Sequence, residues 1–363
     1  EYYSQNGANI HRGKHRLSDE ASNAYEAARL AVADYICVQA NEVVFTHNTT
    51  HALNIVAQGL ALTKSDLVIA GIDSHHSQLL PWRQVATLRF IQTDDYGRID
   101  LDHFQTLLAL RPKVIALTHC SNVTGVVHPV EQMIAMIRKQ SDAIIVLDAA
   151  QSLPHGRLNL HTLGADFVAF SAHKMLGPTG LGFLYANRHR LDSLKPLQFG
   201  GGTVDWVDTD GQISRRAPYH LEAGTPAIAS VIGAGASFRL LAGFDETALR
   251  AHDRNLVNSL LSGAASRPYL KLIGPSDGEN RHAIGAFKFS DCVSVGEIAR
   301  LLSDAYGIMC RSGYMCAQPF VGALAGGEIL RASAYLYNTT ADIDALYQAL
   351  DDLAECMGLP TIN

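Results

Sequence analysis

Short apolar runs recur along this chain, each bounded by polar residues and separated by helix-length segments: Leu67–Ala70, Leu88–Gln92, Val114–Thr118, Ala143–Asp148 and Phe167–Phe170. Strands that alternate with helices read as βαβ units and assemble into a mostly parallel sheet with helices on its faces. A strand over Glu42–Thr46 precedes them. Before it, an Ala-rich helix is predicted from Ser18, its N-cap, with Asp19 and Glu20 on the first turn, to about Ala40. From about Gly243 the pattern changes. A helix near Asp245–Leu261, strands near Leu270–Ile273, Ile284–Phe289 and Ile329–Ser333, and a last helix over Thr340–Met357 predict a smaller α+β unit. The expected organisation is a large α/β domain over residues 1–242 and a small α+β domain over 243–363. A chain of 363 residues also exceeds the size at which one hydrophobic core usually keeps growing.

Hydrophobic residues make up 47% and charged residues 18%, enough apolar surface for a sizeable core and too much for disorder. The net charge of −6 comes without any run of Lys or Arg, so neither nucleic acid nor a polybasic membrane contact is expected. Small molecules and proteins are the expected partners. No apolar stretch approaches the roughly 20 residues of a spanning helix. The cysteines, Cys37, Cys120, Cys292, Cys310, Cys316 and Cys356, are scattered and lack CxxC pairs, which suits a reducing cytoplasm. The chain opens on Glu1 rather than Met, so a native N-terminal segment is expected to be missing.

Polar clusters follow several strands: Thr49-Thr50, Ser74-His75, Ser121-Asn122, Asp148–Gln151 and Ser171–Lys174. In open α/β sheets ligands gather beyond the carboxyl ends of strands, so these clusters converge on one candidate site. Lys174 stands beside His173, after a strand and before a Gly/Pro turn. Asp148 closes a neighbouring strand, where a carboxylate can pair with a protonated pyridine nitrogen. Together they fit a site for pyridoxal 5'-phosphate (PLP), whose electron sink depends on such a pairing. Thr49-Thr50, at the start of a predicted helix, offers hydroxyls and free N–H groups to a phosphate. His47 and His51 have metal-like spacing but no third ligand, so no metal is expected. Gly233-Ala-Gly235 follows no strand and lacks a third glycine, which discounts a dinucleotide fingerprint.

Taken in order, the motifs resemble a known family nearly end to end. They are Asn9-Ile-His-Arg-Gly13, Phe45-Thr-His-Asn-Thr-Thr50, Ser74-His-His-Ser-Gln-Leu-Leu-Pro-Trp82, Ser121-Asn-Val-Thr-Gly125, Asp148–Gln151, Ser171-Ala-His-Lys174, Glu222-Ala-Gly-Thr-Pro226, Arg311-Ser-Gly-Tyr-Met-Cys-Ala-Gln-Pro319 and Arg331-Ala-Ser333 with Tyr337-Asn338. The chain is similar to the class V aminotransferases of fold-type I PLP enzymes, and within them to the group II cysteine desulfurases. The resemblance implies a fold-type I transferase fold and residue roles to match. Lys174 would carry the cofactor, Asp148 pair with its ring nitrogen, and Gln151 and Asn122 address its ring-oxygen side. His75 would stack on the ring, and Thr49, Thr50, Ser171 and His173 would hold the phosphate. Thr225 would reach in from a second subunit of a homodimer. Arg331 would clamp the substrate carboxylate, with Arg311 and Asn122 close by.

The implied reaction converts L-cysteine to L-alanine, with Cys316 as the nucleophile that takes up the sulfur as a persulfide. L-Selenocysteine is a second candidate substrate, and a sulfur-acceptor protein of an iron–sulfur assembly route an expected partner. The chain departs from the family pattern at Asn48, at His51 and at Tyr314-Met315, where a His usually precedes the cysteine. A PLP-dependent C–S lyase or epimerase without persulfide transfer, and a catalytically silent scaffold for acceptor proteins, stay open as alternatives at this stage.

Overall fold

Each apolar run is flanked by enough chain to return across a sheet face, and the runs pair side by side. The computed structural model describes residues 2–362, so Glu1 and Asn363 lie outside the described residues. Its larger sheet holds β1 (Val43–Thr46), β2 (Leu67–Gly71), β3 (Thr87–Ile91), β4 (Val114–Thr118), β5 (Ile144–Asp148), β6 (Phe167–Ser171) and β7 (Gly182–Ala186), in the order β1-β7-β6-β5-β4-β2-β3. Neighbouring strands are parallel except around β7, which runs antiparallel to both β1 and β6. Strands β4, β6 and β7 are buried along their whole length, as continuous apolar runs require when helices cover both faces. One face packs on Tyr25, Val32, Phe104, Met133 and Phe238, and the other on Leu53, Val56, Leu79 and Trp82. This is the fold-type I arrangement expected from the resemblance.

The predicted strands sit within a residue or so of the observed ones, with β3 one residue earlier than Leu88–Gln92. Strand β7 was not foreseen: it follows the Lys174 turn directly and is the antiparallel return of β6. The first long helix spans Arg16–Tyr35, shorter than predicted. His15, not Ser18, caps it, its Nδ1 accepting from the Ser18 amide, while the buried Ser18 hydroxyl donates to Asn9 O at 2.8 Å. Cys37 in the left-handed region, at φ 60°, ends the run well before Ala40.

After an exposed hairpin of β8 (Val204–Val207) and β9 (Gln212–Ser214), the remaining chain builds a second sheet. Strands β10 (Lys271–Ile273), β11 (Ile284–Lys288), β12 (Arg311–Gly313) and β13 (Ile329–Ser333) pair antiparallel in the order β10-β11-β13-β12. Helices Glu246–Ala265, Val295–Tyr306 and Thr340–Met357 cover it with a core of its own around Leu260, Phe287, Leu302 and Leu350. The sequence reading missed the helix at Val295–Tyr306, the short strand β12 and the helix Gln318–Ala325. Among the described residues no single helix is long and apolar enough to cross a membrane; Ile228–Ala242 and Glu246–Ala265, which pass such a test only as a pair, meet at 91°.

Candidate active site

Because β1, β2, β4, β5 and β6 all point the same way, the loops that leave them open onto one place. There a cavity of about 320 Å³ is lined by Thr49, Thr50, His75, Asn122, Asp148, Gln151, Ser171, His173 and Lys174 from the large sheet and by Arg311 and Arg331 from the small one. The structure thus brings together residues that the sequence reading singled out across almost 300 positions.

One end of the cavity is built to receive an anion. Helix Thr49–Gly59 begins there, capped by Asn48, whose Oδ1 accepts from the His51 amide at 2.9 Å. The Thr49 amide donates to Ser171 Oγ at 2.8 Å, and the two hydroxyls lie 2.6 Å apart. Thr50 Oγ1 lies 2.7 Å from Ser77 Oγ. Hydroxyls clustered on a helix N-terminus meet a phosphate with donors and a favourable dipole. Gly182, the first residue of β7, makes room for this turn, since a Cβ there would lie 2.5 Å from Asn48 Cα.

The middle of the cavity holds an acid and a base. Asp148 is 7% exposed, and its Oδ1 accepts from the Ala150 amide at 2.9 Å. Burial raises its pKa, opposed by the nearby Lys174 ammonium. Burial lowers the pKa of Lys174, opposed by the Asp148 carboxylate and reinforced by Arg331. A lysine pushed toward its neutral form is a nucleophilic amine, the form that condenses with a carbonyl. His75 caps helix His76–Val85, its Nδ1 accepting from the Ser77 amide at 3.1 Å. Burial, then the positive charges of Lys174, His76, Arg311 and Arg331, lower its pKa to about 4, so the ring is neutral near pH 7.

At the other end, two guanidinium groups meet the cysteine loop. Arg331 Nη1 donates to Asn122 O at 2.8 Å, while its buried Nε finds no partner among the described residues. Asn122 Nδ2 donates to Met315 O at 2.8 Å, leaving its own buried Oδ1 without a partner among the described residues. Arg311 Nη2 donates to Cys316 Sγ at 3.0 Å, so the thiol stands beside the cavity although it does not line it.

Thr225 is not part of this cavity. It lines a separate pocket with Asn9, His11, Arg12, Arg215 and Glu222. His47 and His51 stack on each other 4.8 Å apart at the helix start. Asn48, Ser77, Thr118 and Cys120 line the cavity but were not singled out from the sequence as site residues; Ser77 carried the best signal, two residues after His75. Among the described residues one further group of metal-ligand type, His155, Asp253 and His282, lies elsewhere, its carboxylate already shared between the two imidazoles at 3.0 and 2.7 Å.

Comparison with known proteins agrees with this geometry. Residues 1–346 match the family described as Aminotransferase class-V, whose enzymes in general depend on PLP. A probable cysteine desulfurase 2 of Mycobacterium leprae is 40% identical over 354 residues, 94% of this chain and 83% of that protein. A cysteine desulfurase of Haloferax volcanii is 35% identical over 365 residues, 98% of this chain and 85% of that one. Among solved structures, the apo cysteine desulfurase from Thermococcus onnurineus NA1 superposes with a TM-score of 0.93 at 35% identity, covering 98% of this chain and 90% of the other. The Escherichia coli cysteine desulfurase CsdA gives 0.89 at 33% identity, with the same coverage. The chain belongs to the class-V aminotransferase family, among its cysteine desulfurases.

Proposed function

We propose that this enzyme uses PLP to convert L-cysteine to L-alanine, collecting the sulfur as a persulfide on Cys316 for transfer to an acceptor protein. The observation that carries this reading is the placement of Cys316 Sγ, 3.0 Å from Arg311 Nη2, beside a cavity that holds Lys174 and Asp148. The residues fit the cofactor. A phosphate would meet the Thr49, Thr50 and Ser171 hydroxyls, a ring nitrogen would meet Asp148, and the buried Asn122 Oδ1, without a partner among the described residues, would accept from a polar group. When bound, PLP supplies an electron sink that labilises bonds at the substrate's α-carbon and, beyond it, the carbon–sulfur bond.

The chain's own residues do the rest. Lys174 would hold the cofactor and, with burial lowering its pKa, would accept the α-proton. His75 and Gln151, which line the cavity, would fix the ring's position. Arg331 takes the substrate carboxylate with two parallel N–H donors, a geometry that an ammonium does not offer. Arg311 Nη2 holds Cys316 Sγ at 3.0 Å, beside the cavity where the sulfur is to be attacked. The S–S bond forms as the substrate's carbon–sulfur bond breaks, its electron pair staying with carbon, so no external oxidant is required. We place the enzyme in the cytoplasm as a homodimer in which Thr225 serves the partner's phosphate site. The hairpin beside Thr225 supports this, since Trp206 and Ile213 are each 61% exposed, apolar surface that a subunit contact would cover. Residues 1–242 and 243–363 act as two domains that share the cavity.

The test is to reconstitute the protein with PLP, add L-cysteine, and quantify alanine and cysteine-bound sulfur together. Borohydride reduction followed by peptide mapping should place a pyridoxyl group on Lys174. Cys316→Ala should keep the cofactor spectrum yet lose alanine and persulfide formation by about a thousandfold or more. Alanine formation at the parent rate in that variant would overturn the reading.

A further inference from the structure

Met315 and Cys316 are consecutive non-glycine residues in the left-handed region, at φ 52° and 55°. Such a conformation is unfavourable for a side chain with a Cβ, and a pair persists only where the surroundings hold it. The loop is short, running from the end of β12 at Gly313 to the helix that starts at Gln318. Its internal bond, Ala317 N–H to Tyr314 O at 2.9 Å, closes the turn without aiming it anywhere.

Two bonds from the large sheet do the aiming, and they reach adjacent carbonyls. Asn122 Nδ2 donates to Met315 O, and the backbone N–H of His76 donates to Cys316 O, both at 2.8 Å. His76 is the first residue of its helix, where an N–H has no intrahelical acceptor. The helix therefore gives this donor to the cysteine loop at no cost to itself. The residue before it is His75, which lines the cavity, so a single peptide joins the wall of the site to the backbone of Cys316.

We infer that the His76 N–H and the Asn122 amide form a latch that holds the cysteine loop with Sγ toward Arg311, and that the His76 N–H is a positioning group for sulfur transfer. The inference rests on the assignment of Cys316 as the sulfur-accepting nucleophile. In-line attack on the substrate's sulfur is sensitive to small displacements, about 10²-fold for an ångström. Loss of the latch should therefore slow transfer without weakening cofactor binding.

The decisive variants are His76→Pro, which removes this N–H, and His76→Ala, which keeps it. Proline is at home in the first position of a helix, and His75, at φ −58° and ψ 149°, already has the extended backbone that proline demands of its predecessor. In PLP-loaded protein without substrate, the rate at which iodoacetamide alkylates Cys316, followed by peptide mass mapping, reports the freedom of the loop. His76→Pro should raise that rate about tenfold or more and, with an unchanged cofactor spectrum and KM, lower kcat for alanine about 10²-fold. His76→Ala should match the parent. Equal alkylation in all three proteins, or an alanine variant that behaves like the proline one, would overturn the latch. A parent that makes no alanine would instead remove the functional reading, and the alkylation contrast would still decide the latch. Were His76→Pro not to fold, hydrogen exchange in the parent decides it, since a latched His76 amide is protected and an unlatched one exchanges as freely as water-facing amides.

Discussion

Arg311 and Arg331 stand directly opposite each other across the antiparallel pair β12–β13. Like charges in that relationship oppose pairing. Burial, and then the charge of Arg311, lower the pKa of Arg331 to about 10, and its Nε has no partner within the described chain. A carboxylate ligand relieves all three penalties at once. Arg331→Ala should therefore raise the KM for L-cysteine and lower kcat/KM by about 10- to 150-fold, the range for lost hydrogen bonds to a charged group. The urea midpoint of the cofactor-free variant should stay level or rise. An unchanged KM would show that the carboxylate binds elsewhere.

Thr225 yields a complementation experiment. Thr225→Glu sets a negative charge where the partner's phosphate would lie, and Lys174→Ala removes the cofactor's attachment point, so each protein alone should be inactive. If Thr225 serves the other subunit, mixed dimers contain one intact site, and refolding the two together should restore up to about a quarter of the parent activity by statistics of random pairing. Mixtures as inactive as their components would place Thr225 in its own subunit's site, and an active Thr225→Glu protein would place it outside any site.

Much of this site is legible in the sequence because its parts are local. Asp148 closes one apolar run and Lys174 follows another by a short step, and parallel strands bring such strand ends to one edge. What is not legible depends on contacts distant in sequence. Ser18 has the composition of an N-cap, yet His15 takes that role, because the Ser18 hydroxyl is engaged by Asn9 O. Strand β7 is hidden by the Gly/Pro turn that precedes it and by its antiparallel direction, which the repeating βαβ pattern does not announce. The short strand β12 carries Arg311, and its three residues have no periodicity to detect. The latch on Cys316 O uses a backbone N–H, for which residue identity carries no signal.

His75 gives a pH dependence with a definite sign. Its pKa is about 4 in the folded protein, chiefly through burial and the Lys174 ammonium, against roughly 6.5 in an unfolded chain. Between those values the unfolded state binds a proton that the native state refuses. His75 is therefore neutral toward stability above pH 6.5 and destabilises the fold progressively as pH drops toward 4. Urea midpoints of the cofactor-free protein at pH 7 and pH 5 should fall more for the parent than for His75→Phe, which keeps a ring and has no proton to bind. Equal losses would show that the ring is more open to water than this environment implies.

The last prediction concerns a charge that the fold buries outright. Arg29 is 1% exposed; it donates to Glu222 Oε1 at 2.7 Å and Oε2 at 3.0 Å and to Val43 O at 2.7 Å, with its guanidinium 4.2 Å over the Phe45 ring. Glu222 Oε1 also accepts from the Phe45 amide at 2.7 Å, so one carboxylate joins the first long helix, β1 and the segment that carries Thr225. Removing Glu222 strips the buried guanidinium of its bidentate partner and leaves it only the more exposed carboxylate of Glu26, 3.0 Å from Nε, at a cost of up to about 3–5 kcal/mol. Glu222→Ala should lose stability on that scale in urea unfolding. Arg29→Leu combined with Glu222→Leu should lose less than Glu222→Ala alone, because it removes both charges and keeps the volume filled. A cost below about 1 kcal/mol for Glu222→Ala would mean that water reaches Arg29, and a double variant as unstable as the sum of its singles would mean that the two side chains act independently.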